Sequence, residues 1–284
     1  MAEQIRTIGF IGAGNMAEAI IGAVLSAGLY PASAISASDP DGKRLNELEQ
    51  RYKIRRALSN KTLAQDCGLV FLAVKPQTMN AVLQELTEGE GFSDPGRKRR
   101  YVSIAAGIKI SAFEAALYKG LGDADKYKLP IIRVMPNTPA LVQSGTSAVC
   151  PNGYASQDDI KTVKTILSAM GTVFECPETL MDAFTAVAGS GPAYGFYLME
   201  AMAAAGVALG LSRDEALQMT VSTLKGALDL LQAQQSDPET LRRKVTSPGG
   251  TTEAALEVLE KNEVKASITQ AVLAAARRAG ELSQ

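Results

Sequence analysis

The chain has 284 residues, 46% of them hydrophobic and 21% charged, which excludes a largely disordered protein and leaves room for two domains with separate cores. Lys plus Arg number 29 against 30 for Asp plus Glu, a net charge of -1, which excludes a general electrostatic pull toward nucleic acid or an anionic membrane. There is no histidine, and the 3 cysteines, Cys67, Cys150 and Cys176, lie far apart, so His-based triads and Cys–His pairs are excluded, a disulfide framework and a zinc site are argued against, few ordinary catalytic metal sites remain, and a reducing cytoplasm is expected.

The N-terminus shows no secretory pattern and runs straight into an apolar strand at residues 6–11. Gly12-Ala13-Gly14-Asn15-Met16-Ala17 follows, then a helical run at 19–25 that ends at Gly28. This is G-x-G-x-x-A in its setting of strand, tight turn and helix. Gly12 permits the turn, Gly14 lets a pyrophosphate approach the backbone, and Ala17 lets the helix pack close to the strand. The phosphates of a dinucleotide would face free N–H groups at the helix start.

A second strand is expected at 34–38, a helix at 43–52, a third strand at 69–74 and a helix at 78–86. Arg97-Lys98-Arg99-Arg100, after Ser93, Asp94, Pro95 and Gly96, reads as a solvated loop. Further strands are expected at 101–104, 131–135 and 146–149. Strand–helix alternation predicts a parallel, doubly wound sheet, with ligands at the carboxyl ends of the strands. Those ends are Ser38-Asp39, Lys75-Pro76-Gln77, Ala105-Ala106-Gly107 and Pro136-Asn137-Thr138.

After Cys176 only helices are expected, at 179–188, 193–209, 212–234, 238–244 and 252–282. The apolar stretch 192–211 carries a single charge, Glu200; its Ala and Gly content points to a helix packed in a bundle or subunit interface rather than in a membrane. A half so rich in Ala, Leu and Met looks built to pack against a second copy of itself. The expected fold is therefore α/β, a Rossmann-type doubly wound sheet over residues 1–176 followed by an all-α dimerisation and substrate-binding domain over 177–284.

Within that helical half, Ser247-Pro248-Gly249-Gly250-Thr251-Thr252 places hydroxyls and glycines at a helix entrance. Such a loop either cradles an anion or is a plain helix start, with Thr251 or Thr252 as the cap and Glu253 in the first turn.

Six motifs in order, IGFIGAGNMAEAI, FLAVKPQ, SIAAG, RVMPNTPALV, GSGPAY and SPGGTTEAAL, resemble those of pyrroline-5-carboxylate reductase along nearly the whole chain. The resemblance implies reduction of 1-pyrroline-5-carboxylate to L-proline, the last step of proline biosynthesis, with NADPH or NADH as cofactor. It also implies a homodimer, often built into a larger ring, and no nucleic acid or membrane partner. By resemblance Ile11, Gly12, Ala13, Gly14, Asn15 and Met16 take the pyrophosphate, and Ser38, Asp39 and Asn60 lie on the adenosine side. Ala73, Val74, Lys75 and Pro76 take the nicotinamide ribose, and Ile104, Ala105 and Ala106 lie near the nicotinamide. Ser247, Gly249, Gly250, Thr251 and Thr252 hold the substrate carboxylate, Thr252 touches the ring nitrogen as the one catalytic candidate, and Glu178 helps frame the site.

A protonated cyclic imine already accepts hydride, which makes the absence of histidine understandable, and positioning should dominate the chemistry. Asp39 stands where many members of the family carry a small polar residue. A carboxylate there bonds a ribose 2′-OH and repels a 2′-phosphate, so it leans toward NADH; alternatively Ser38-Asp39-Pro40-Asp41 is a turn in which the carboxylate bonds its own backbone, leaving Lys43 and Arg44 to receive the phosphate. A β-hydroxyacid dehydrogenase with Lys225 as catalytic lysine, or a nicotinamide-binding regulator without turnover, are the competing readings.

Overall fold

The computed structural model describes residues 5–88 and 97–283, so the turn expected at 93–96 lies outside the described residues. The strands are β1 (Ile8–Ile11), β2 (Ile35–Ser38), β3 (Arg55–Arg56), β4 (Leu69–Leu72), β5 (Arg100–Ser103), β6 (Ile131–Met135), β7 (Gly145–Pro151) and β8 (Gly171–Glu175). The sheet-side helices are α1 (Asn15–Ser26), α2 (Gly42–Tyr52), α3 (Asn60–Asp66), α4 (Pro76–Thr87), α5 (Ile110–Leu117), α6 (Asp123–Lys126), α7 (Gln157–Ser168) and α8 (Met181–Phe184). After them come α9 (Gly191–Ala208), α10 (Arg213–Gln234), α11 (Pro238–Lys244), α12 (Thr251–Lys261) and α13 (Val264–Leu282). Two compact units result, one of Met1–Gly189 with Ala276–Gln284 and the other of Ser190–Ala275.

The first unit is one 8-stranded sheet in the order β3-β2-β1-β4-β5-β6-β7-β8, with the chain reversing its winding direction between β1 and β4. That switch point is where an open α/β sheet forms its ligand crevice. Strands buried on both faces read as continuous apolar runs, and their alternate residues serve two cores. Ile8, Phe10 and Phe71 join Ile20, Val24 and Leu48 on one face, with the Phe10 and Phe71 rings stacked 4.9 Å apart. Val70, Leu72, Met79, Tyr101 and Phe113 fill the other.

Three expectations are corrected. The sheet is not wholly parallel, because β7 runs antiparallel to β6. Residues 136–144 between them hold only a 3-10 turn, Thr138–Val142, and a parallel return needs a crossover of about a dozen residues or more. The basic run is not a solvated loop: Arg99 and Arg100 are buried, and Arg100 opens β5. Asp159, 1% exposed in its side chain, sits within 2.5 Å of Lys98 and 2.8 Å of Arg100, so the charges are compensated rather than hydrated. The helix expected at 252–282 is two helices, broken at Asn262 and Glu263, the latter in the left-handed region at φ 52.

The tail of α13 belongs to the first unit. Ser283 Oγ donates to Asp182 Oδ1 at 3.3 Å, and a Cβ on Gly107 would meet the Leu282 carbonyl oxygen at 2.9 Å.

The second unit is built otherwise. Ser212 and Glu215 form a capping box that starts α10, and Gly206 of α9 faces Ala216 so closely that an added Cβ would lie 2.8 Å from the alanine Cβ. Yet between Ser190 and Ala275 only Ala216 and Thr220 are buried. Helix α9, expected to be packed all round, buries none of its residues within the chain, and Phe196 and Tyr197 stand exposed. Among the described residues no helix is long and apolar enough to cross a membrane.

Candidate active site

Five helices, α2, α3, α7, α10 and α11, begin with an Asp or Ser side chain that accepts from the first turn. Like the four-residue α6, helices α1 and α12 begin at a glycine with no side-chain cap. Their first N–H groups are the free donors that an anion can use. Both lie in motifs singled out from the sequence.

At α1, Ile11 ends β1 and Gly12 turns the chain at φ +97, where a Cβ would sit 2.7 Å from the Ala73 carbonyl oxygen. Gly14 is the N-cap, and a Cβ there would meet nothing within 4 Å, so the helix entrance is open to a bulky group. Ala17 is fully buried against the sheet. An open entrance, a forced glycine turn and uncapped donors fit the pyrophosphate of a dinucleotide.

The predicted residues of the first unit converge on this end of the sheet. Gly12 N–H donates to the Ser38 carbonyl at 2.8 Å, Ala73 N–H to Ile11 at 2.7 Å and Ile104 N–H to Leu72 at 3.2 Å, so the ends of β2, β4 and β5 are laced to the turn. Ser38 Oγ and Asn60 Oδ1 are 2.6 Å apart, and Asn60 Nδ2 donates to Glu85 Oε2 at 2.6 Å. Lys75 precedes α4 with no side-chain cap and Pro76 at its first position, which leaves one fewer N–H to satisfy. Ala106 is exposed after β5 and Ala105 buried.

Asp39 does two things at once. Its Oδ1 accepts from Asp41 N–H at 2.9 Å, which is the local turn, and its Oδ2 accepts from Ala13 N–H at 2.7 Å in the glycine turn. Arg44 Nε donates to the Ala13 carbonyl at 2.8 Å, while its two Nη groups pair with Glu18 and Glu47. Burial raises the Glu18 carboxyl, but the bonds from Arg44 and Tyr52 and the charges of Arg44 and Arg51 outweigh it and hold it below the ordinary carboxylate range. Glu18 was missed from the sequence; an acid near a helix start has many ordinary explanations, and its partners come from 26 to 34 residues away.

Asn137 and Glu178, expected near a ligand, are tied into the sheet unit. Asn137 accepts from Thr146 N–H at 2.8 Å and donates to the Ala188 carbonyl at 2.9 Å. Glu178 Oε1 accepts from the first N–H of α5 at Ile110 and from buried Arg133, both at 2.8 Å.

In the second unit, the loop of Ser247 to Thr252 is largely exposed. Gly250 is the N-cap of α12, so Thr251 and Thr252 are its first two residues and neither caps it. Gly249 stands at φ +72, a backbone state costly to other residues, and its N–H donates to Glu253 Oε2 at 2.7 Å. The result is a helix entrance with two hydroxyls beside unspent N–H groups, suited to a carboxylate. Lys225, the lysine of the competing dehydrogenase reading, is exposed and paired with Asp229 at 2.7 Å. No group of three or more His, Cys, Asp or Glu among the described residues could hold a metal.

Comparison with known proteins adds independent findings. The family model described as pyrroline-5-carboxylate reductase dimerisation matches residues 178–282, and one described as NADP oxidoreductase, coenzyme F420-dependent, matches 7–107. A pyrroline-5-carboxylate reductase of Pseudomonas aeruginosa is 41% identical over 280 residues, covering 98% of this chain and 97% of the relative. A solved pyrroline-5-carboxylate reductase of Coxiella burnetii superposes with a TM-score of 0.86 at 32% identity, covering 99% of this chain and all of the other. A Plasmodium falciparum pyrroline carboxylate reductase with NADP bound superposes with a TM-score of 0.84 at 29% identity, covering 99% of both chains.

Proposed function

The chain belongs to the pyrroline-5-carboxylate reductase family, and from that premise we propose how its residues divide the work. The enzyme reduces 1-pyrroline-5-carboxylate to L-proline with NAD(P)H, the final step of proline biosynthesis. The bound nicotinamide supplies the hydride. The observation that carries our assignment of roles is that α1 and α12, each in a glycine-rich motif, start at a glycine without a side-chain cap, one entrance for each charged ligand.

We assign dinucleotide binding to residues 1–176 and dimerisation and substrate binding to 177–284, of which 177–189 and 276–284 belong to the compact sheet unit. Ile11 to Met16 hold the pyrophosphate on the donors of α1, with Ser38, Asp39 and Asn60 on the adenosine side. Ala73 to Pro76 hold the nicotinamide ribose, and Ile104 to Ala106 line the nicotinamide. Ser247, Gly249, Gly250, Thr251 and Thr252 fix the substrate carboxylate at α12 and so fix which face of the imine is presented. Thr252 bonds the ring nitrogen, where the C=N electron pair goes as the new C–H bond forms. Glu178 acts through Arg133 and the start of α5 rather than by proton transfer. With the substrate entering as an iminium, no histidine is needed to protonate a developing alkoxide.

We propose a homodimer formed through the helical domain, assembled into a larger ring, and a cytoplasmic location, in keeping with the three unpaired cysteines. On cofactor choice, the Asp39 carboxylate facing the turn supports use of NADH at least as well as NADPH. A spectrophotometric assay with pyrroline-5-carboxylate and each cofactor tests reaction and preference together: cofactor oxidation that depends on the imine is expected with both. Cofactor binding without turnover would favour the regulator, and turnover only with hydroxy acids the dehydrogenase.

A further inference from the structure

Ala13 lies between Gly12 and Gly14, and both of its main-chain polar groups are taken by charged side chains from the segment that follows β2. Its N–H donates to Asp39 and its carbonyl accepts from Arg44, at 2.7 and 2.8 Å. Each of these side chains is itself anchored. Asp39 accepts from Asp41 N–H, and Arg44 is held by Glu18 and Glu47. Glu18, in the first turn of α1, is in turn bonded by Arg51 at 2.8 Å and Tyr52 at 3.1 Å.

A residue flanked by two glycines is costly to order, and hydrogen bonds to charged partners are the strong ones. Fixing Ala13 before the ligand arrives removes that ordering cost from binding. Resting on the dinucleotide reading of this turn, we infer that Asp39 and Arg44 are positioning residues that hold the pyrophosphate turn in its binding form, and that Arg44 is not a ligand of a ribose 2′-phosphate. Its guanidinium is spent on Ala13, Glu18 and Glu47. Lys43 is exposed and has no side-chain partner among the described residues, so it is the cation of this segment that meets a 2′-phosphate. Asp39 then acts on NADPH in two opposed ways, ordering the turn and repelling the phosphate.

The test uses the full chain, with ADP-ribose and 2′-phospho-ADP-ribose as probes, titrated calorimetrically without substrate and well below the melting midpoint of each variant. Arg44→Met is expected to raise both dissociation constants by about tenfold, equivalent to 1.4 kcal/mol, and to leave their ratio unchanged. Lys43→Met is expected to weaken only the 2′-phosphorylated probe. A loss confined to that probe in Arg44→Met, or no loss with either, overturns the clamp. Arg44→Lys keeps a charge beside Glu18 but cannot span all three partners, so both probes should again weaken together; wild-type affinity in that variant also overturns it. A wild-type chain that binds neither probe overturns the dinucleotide reading itself.

Discussion

In the sheet unit, large apolar side chains close on one another; in the helical unit they face outward. Phe10, Phe71 and Phe113 are fully buried, whereas Phe196, Met219 and Leu228 are each more than half exposed. Burying one such side chain is worth roughly 1.5–3 kcal/mol, so the sheet unit draws its stability from within one chain and the helical unit must draw much of its own from a second copy. The two uncapped, glycine-started helix entrances also differ. The one at α1 is braced by Asp39 and Arg44 from 26 and 31 residues away, and the one at α12 by local bonds, from Gly249 N–H to Glu253 and from Gly250 N–H to the Ser247 carbonyl.

The largest effect should come from charging the outward face. If the exposed face of α9 is the pairing surface of the proposed dimer, Phe196→Glu buries an unpaired charge there, at about 3–5 kcal/mol, and should weaken self-association more than a hundredfold in sedimentation equilibrium. A variant that stays fully associated would separate α9 from the pairing surface and break the comparison.

Asp159→Asn probes the opposite case. Burial raises this carboxyl, but bonds from Lys98, Ser156 and Arg100 prevail and hold it below its ordinary range. Removing the charge takes the buried carboxylate away from both Lys98 and Arg100, and should cost roughly 3 kcal/mol of stability without changing the association constant. Because the folded-state value is depressed, the stabilising contribution is complete above the ordinary carboxylate range and is lost as pH falls through the folded-state value. Chemical denaturation of wild type and variant should therefore converge in acid; a gap that persists there would show that geometry, not charge, sets the cost.

Thr252→Ala tests the chemistry at the start of α12. Turnover should fall roughly thirtyfold, about 2 kcal/mol, with cofactor affinity unchanged. Unchanged turnover would remove Thr252 from the mechanism. Smallest is Asp39→Ser, which should shift the ratio of kcat/KM toward NADPH by about tenfold, or 1.4 kcal/mol. An unmoved ratio in a wild type that strongly prefers NADPH would mean that Asp39 does not face the ribose.

Residues whose partners are near in sequence were the legible ones. Strand β1, the turn at Gly12 and the helix α1 follow from a local pattern, as do α9, α10 and α11. The reversal at β7 was written in the short connection at 136–144, but apolar runs carry no direction, and β8, exposed at the sheet edge, carries little apolar signal. Arg100 looked solvated because charge in sequence does not reveal that Asp159 waits 59 residues on. The same blindness hid the double role of Asp39: its bond to Asp41 is local and was foreseen as a turn, while its bond to Ala13 spans 26 residues.

The return of α13 bears on how the protein is made. Ser283 meets Asp182 across 101 positions, and Leu282 fills the space beside Gly107, itself held at φ +79. During synthesis the sheet unit emerges first, yet its closing segment emerges only after the whole of 190–275. A chain released after residue 189 therefore carries an incomplete sheet unit, with bare surface at Gly107 and Asp182. Contacts of such long separation form late, so the nascent first unit passes through an unsealed state that ends only once the last turns of α13 have emerged.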